Sequence, residues 1–129
     1  MIKIHVTSVP VDNQDKALAF YTQKLGFVKK TEIPMGEHKW LTVVSPDEQN
    51  GVELLLEPMA FAPARVYQNA LKEAGIPYTS FMVGDLDKEY ERLTSIGVKF
   101  SMQPREMGPV KIATLDDTCG NNIQLVQML

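Results

Sequence analysis

A chain of 129 residues, 44% hydrophobic and 22% charged, has the size and make-up of one globular domain and can bury a core without disulfides or metal. A formal net charge of −3, with Lys29-Lys30 as its only adjacent basic pair, excludes the clustered cations that phosphate binding needs, so no nucleic-acid partner is expected. The single cysteine, Cys119, excludes an intrachain disulfide. With no signal-like N-terminus and no apolar run of about 18 residues, it points to a cytoplasmic protein with no membrane partner.

The first element is a strand over Lys3 to Val11, rich in Val, Ile and Thr. Asn13 is placed to cap a helix that carries Leu18, Tyr21 and Leu25 on one face and stops at Gly26. Three strands follow, near Val28 to Ile33, Trp40 to Ser45 and Val52 to Glu57. A connector then holds a covering helix, about Ala64 to Ala74, closed by Gly75. A strand around Tyr78 to Val83 leads to Asp85, the second helix cap. That helix presents Tyr90, Leu93 and Ile96 and ends at Gly97, and strands are expected at Lys99 to Gln103, Lys111 to Leu115 and Asn122 to Gln127.

The order is a repeat. Val11 to Lys16 reads V-D-N-Q-D-K and Val83 to Lys88 reads V-G-D-L-D-K, an offset of 83 − 11 = 72. Val52-Glu53-Leu54-Leu55 matches Ile123-Gln124-Leu125-Val126 at 123 − 52 = 71. The chain therefore reads as one domain, 1–129, with halves 1–57 and 77–129 joined by a helical connector, 58–76.

Strand alternation sorts the side chains. Thr7, Val9 and Val11 are expected against the helix, with Val6, Ser8 and Pro10 on the other face; in the copy, Thr79, Phe81 and Val83 pack while Tyr78, Ser80 and Met82 face away. Val52, Leu54, Leu56, Ile123 and Leu125 pack, whereas Glu53, Leu55, Glu57, Gln124 and Val126 face away. This second face is mixed in polarity, as a cavity wall is.

Two stretches carry a family resemblance: V-D-N-Q-D-K-A-L-A-F-Y-T-Q-K-L-G-F at Val11 to Phe27, and D-D-T-C-G-N-N-I-Q-L-V-Q at Asp116 to Gln127. They resemble the helix signature and the D-P-x-G-N-x-I-E-L motif of the vicinal-oxygen-chelate superfamily, which includes glyoxalases, bleomycin-resistance proteins and extradiol dioxygenases. The resemblance implies an α+β fold: two tandem β-α-β-β-β modules forming a curved, partly closed eight-stranded mixed sheet around a cavity. It also implies a two-fold homodimer. In the metalloenzymes of that family, His and Glu side chains on the cavity face hold a divalent metal. The resemblance places those positions at Val6, Glu53, Tyr78 and Gln124. Only Glu53 is an ordinary ligand, so a degenerate metal site and no cofactor are expected. A divalent metal is the alternative, reached if a bulge turns His5 inward.

The site residues expected to meet a ligand are Val6, Ser8, Trp40, Glu53, Leu55, Tyr78, Ser80 and Gln124. A Glu53–Tyr78–Gln124 cluster would bind a polar ligand group or satisfy itself. Glu57, His38, Arg105 and Lys111 read as solvated charges, Cys119 as an idle thiol, and Met35-Gly36 and Met107-Gly108 as flaps. The expected function is metal-free binding of an unknown small molecule between the modules. The alternatives are an enzyme of lyase, isomerase or dioxygenase type, with Glu53 as ligand or general base, and a non-catalytic scaffold.

Overall fold

A computed structural model describes all residues, 1–129. Its elements run β1 (Val6–Val11), α1 (Gln14–Ala19), β2 (Val28–Met35), β3 (His38–Val44), β4 (Glu53–Pro58), α2 (Ala62–Glu73), β5 (Thr79–Met82), α3 (Leu86–Ser95), β6 (Phe100–Met107), β7 (Val110–Asp116) and β8 (Asn122–Met128). This is the α+β pattern of two β-α-β-β-β modules. The eight strands form two four-stranded mixed sheets, ordered β1-β4-β3-β2 and β5-β8-β7-β6. In each, the first strand runs parallel to the fourth and the rest are antiparallel. The chain divides into compact units Met1–Arg65 and Val66–Leu129, so the boundary falls inside α2.

Both helix starts follow from their caps. Lys16 N donates to Asn13 Oδ1 at 2.9 Å, and Lys88 N donates to Asp85 Oδ1 at 3.1 Å. Both helices end before a glycine in the left-handed region, Gly26 at φ +87° and Gly97 at φ +91°.

In the first module, α1 continues into a π-helical turn, Phe20–Lys24, where Leu25 N donates to Phe20 O five residues back. The buried face follows ordinary helical spacing through Gln14, Ala17 and Tyr21, which leaves Leu18 at its margin, and the wider turn shifts only the residues after it, such as Leu25. Ala17, Phe20 and Tyr21 are the buried apolar residues, while Leu18 and Leu25 are only half-buried. They meet Val9, Val11, Leu41, Val43, Leu54 and Leu56 in a closed core. The second module packs Leu86, Leu93, Ala113, Leu115, Ile123 and Leu125 in the same way. There Tyr90 sets its ring edge-on to Phe100, with centroids 4.7 Å apart.

Several expectations are corrected. β1 starts at Val6 because its partner β4 starts at Glu53, the first rung of the ladder; Met1 to His5 lie outside it. Val52 precedes β4 and is exposed, and Ile96 at the end of α3 is exposed too. His38 is the first residue of β3 rather than a loop residue. Lys111 is no free cation, since its ammonium donates to Asp87 at 2.8 Å.

Candidate functional site

Ladder registers show which residues share a face. In the first sheet, Val6 pairs with Glu53, Ser8 with Leu55 and Pro10 with Glu57, and Thr42 lies across from Leu55. Continuing the β3–β4 register sets Trp40 opposite Glu57. The face turned away from α1, called the open face although Pro10, Leu55 and Thr42 are buried on it, thus carries three rows: Val6–Glu53, Ser8–Leu55–Thr42 and Pro10–Glu57–Trp40. All five expected ligand contacts of this module lie on it.

The second sheet repeats the rows with one change of occupant. Ser80 pairs with Gln124, and Gln124 with Thr114, so Gln124 stands where Leu55 stands in the first module. Tyr78 N donates to Asn122 O, which makes Asn122 the counterpart of Glu53. The sequence match of Glu53 to Gln124 is therefore two residues, roughly 6.6 Å, out of lateral register, although the face is the same. Tyr78, Ser80 and Gln124 do share the open face of their own sheet.

Glu53 is tied locally. Thr42 Oγ1 donates to Glu53 Oε1 at 2.7 Å, and His5 Nδ1 lies 4.0 Å from Oε2. The Glu53 side chain is 14% exposed and that of His5 73%. His5 reaches Glu53 because it precedes the first rung of the ladder, where strict strand parity no longer applies.

A metal of the family type does not fit these residues. Val6 has no donor atom, Glu53 offers one carboxylate, and one of its oxygens already accepts from Thr42. In the second module, Asn122 Oδ1 accepts from the Lys72 ammonium at 2.8 Å, and Lys72 lies 3.2 Å from Asp116. The one amide oxygen at that position is thereby already committed to the Lys72–Asp116 pair. Tyr78 turns its ring toward Tyr67, with centroids 6.0 Å apart. Nowhere do three or more His, Cys, Asp or Glu side chains gather with metal-binding geometry.

The first module also holds a cavity of about 420 Å³ at the Trp40 end of its open face. Its floor is Pro10, Leu55 and Trp40; its far wall is Pro58, Ala60, Phe61 and Ala64. Met35 and His38, from the β2–β3 hairpin, also line it. Glu57 and Lys39 supply the charges. Trp40 and Leu55 were expected here. Pro10 and Glu57 have the right strand parity for the cavity; the sequence puts both on this face but does not single out Pro10 as a ligand contact and reads Glu57 as a solvated charge. Phe61 and Ala64 come from the connector, and nothing in their local sequence distinguishes them.

Lys39 is held away from free behaviour. Its ammonium donates to Asp15 at 2.9 Å and lies 3.9 Å from Glu32. The Asp15 hydrogen bond holds the lysine above its ordinary value of 10.5, against the lowering effect of desolvation. Gln14 braces the backbone beneath. Its side-chain amide donates to Lys39 O at 2.7 Å and Leu56 O at 2.9 Å, and its Oε1 accepts from Lys39 N at 3.1 Å. The ends of β3 and β4, which carry Trp40 and Glu57, are thereby fixed to α1.

The profile of the Glyoxalase/Bleomycin resistance protein/Dioxygenase superfamily matches residues 3–125, and the chain belongs to that superfamily. It is similar to the protein YurT of Bacillus subtilis (strain 168), itself uncharacterized, at 55% identity over 126 residues, covering 98% of this chain and 99% of that one. Among solved structures, UcmS2 superposes with a TM-score of 0.83 at 30% identity, covering 98% of each chain. TnmS3, an antibiotic binding protein from Streptomyces sp. CB03234, superposes with a TM-score of 0.76 at 24% identity, covering 100% of this chain and 98% of that one. No helix is long and apolar enough to cross a membrane.

Proposed function

We propose that this member of the superfamily binds a ring-bearing small molecule with a large apolar surface in the cavity of its first module, without a metal. The observation that carries the reading is the wall itself: Trp40, Phe61, Met35, Leu55 and Pro10 around about 420 Å³. That volume lies within the range of small-molecule sites, and two aromatic rings with a polarizable thioether suit a flat ligand. Phe61 is 70% exposed, and so available to close over a guest. The residues on the matching ladder rungs, Val6 with Glu53 and Tyr78 with Asn122, offer a single carboxylate, which supports the metal-free part. The fold neighbour TnmS3 binds an antibiotic, which agrees in kind.

A second reading has one observation in its favour. Thr42 fixes Glu53 Oε1 and leaves Oε2, beside His5, on the open face. A carboxylate so placed can serve as a general base in an enzyme of lyase or isomerase type. Native mass spectrometry and metal analysis on gently purified protein separate the readings. An organic adduct in a chain with no stoichiometric metal supports binding. A stoichiometric divalent metal lost in Glu53→Ala supports the enzyme.

The same reading extends to a two-fold homodimer. Ile33 and Met35 on β2, an edge strand, are 52% and 61% exposed, and an apolar edge of this kind invites a partner. Light scattering at tens of micromolar, a usual scale for weak association, should give twice the chain mass; a monomer there removes the proposal.

A further inference from the structure

Resting on the binding reading, we infer that the ligand of the first-module cavity carries a positive charge, held by Glu57 between Trp40 and Phe61. The rows of the sheet place Glu57 with Pro10 on one side and Trp40 on the other. Its side chain is exposed and makes no hydrogen bond or ion pair within the protein. Every other charge near it is balanced. Lys39, the one lysine on the cavity, spends its ammonium on Asp15 and Glu32, at 2.9 and 3.9 Å. Lys29 also lies 3.5 Å from Glu32, so the two lysines balance the two carboxylates and Glu57 is left as the uncompensated charge on the cavity.

A carboxylate on a cavity wall shared with Trp40 and Phe61 is a lining that can select an organic cation. The ring quadrupoles attract positive charge, and the carboxylate supplies the counter-ion. An anionic ligand would meet Glu57 uncompensated, because Lys39 cannot turn to it without abandoning Asp15. The ligand class is therefore a flat, lipophilic cation such as a ring-bearing amine or an N-alkylated heteroaromatic.

The chain contains one tryptophan, so quenching of Trp40 emission reports this cavity alone. The probes are three molecules of one shape: N-methylacridinium, neutral acridine in alkaline buffer, and acridine-9-carboxylate. N-methylacridinium is expected to bind tightest and the carboxylate weakest. Glu57→Gln should weaken the cation by about fivefold and leave neutral acridine unchanged. Added salt should weaken the cation alone. Equal binding of all three with no effect of Glu57→Gln overturns the charge inference and leaves the apolar cavity standing. Preferred binding of the carboxylate, lost in Lys39→Gln, also overturns it. Failure of all three to quench Trp40 removes the cavity reading itself.

Discussion

Lys39 donates to Asp15 at 2.9 Å, and the equivalent residues of the second module, Lys111 and Asp87, repeat the bond at 2.8 Å. In each module the third strand is thereby tied to the first turn of its helix. The Asp87 hydrogen bond holds Lys111 above its ordinary value, as Asp15 does for Lys39. A raised folded-state value means stability that is fully present below the ordinary lysine value of 10.5 and lost as pH rises through the folded value. Asp15→Asn and Asp87→Asn should each lower Tm slightly at neutral pH. Their deficit against the parent should vanish at strongly alkaline pH and shrink in high salt. A deficit that grows on the alkaline side would mean that the pairs are not the cause.

Gly120 sits at φ +102°, and a Cβ there would meet the Gln68 amide at 2.8 Å. Gln68 cannot retreat freely, because its Nε2 donates to Cys119 O at 3.2 Å and Asn121 Oδ1 at 3.0 Å. Gly120→Ala should therefore cost about 2–3 kcal/mol, from backbone strain and clash together. Gly36→Ala, also at positive φ but with open space around it, should cost about 1 kcal/mol. Urea denaturation measures both, and equal losses would contradict the packing of α2 on the β7–β8 loop.

Within that loop, Asp117 is fully buried and accepts from Cys119 N at 2.7 Å, Asn121 N at 3.0 Å and Asn121 Nδ2 at 2.8 Å. Asp117→Ala strands these donors and should destabilise the fold by about 2–3 kcal/mol. Cys119 is fully buried beside it. A thiol reagent should then modify Cys119 slowly in the native parent and much faster in the Asp117→Ala variant. Fast labelling of the parent would show that the loop opens freely.

Thr42→Val removes the donor to Glu53 Oε1 and should cost about 1 kcal/mol. Glu53→Gln keeps a partner for Thr42 and should be close to neutral in stability. Titration of the parent with Ni, Zn, Mn or Fe should give no tight one-to-one site dependent on Glu53. Micromolar binding abolished by Glu53→Ala would overturn the metal-free reading.

The caps Asn13 and Asp85, the glycines after each helix and the strand alternation were legible because they act locally. They were enough for the two modules and for the faces of Val6, Ser8, Glu53 and Leu55. The register of Gln124 was not legible. The β3–β4 connection is longer than the β7–β8 turn, so the best match of residue types, Glu53 to Gln124, differs from the match of ladder rungs. Of the expected helix face, Tyr21 is fully buried, while Leu18 sits at the margin of a face centred on Ala17 and Tyr21, and Leu25 is shifted by a π-helical turn that has no distinctive sequence. That Phe61 and Glu57 line one cavity is not legible in the sequence, because it depends on where the connector lies against the sheet, which is set by packing and not by spacing.

The most direct test of the cavity uses the indole N–H of Trp40, which gives a single resolved proton–nitrogen signal in a chain with one tryptophan. A library of small ring-bearing fragments is added to labelled protein and the amide and indole spectrum followed. The prediction is that aromatic fragments move the Trp40 indole signal together with the amides of Leu55, Glu57, Ala60 and Phe61, and that Phe61→Ala weakens those shifts. Fragments that leave the Trp40 signal in place, or whose shifts scatter over both modules without favouring these residues, would contradict a ligand site in the first module.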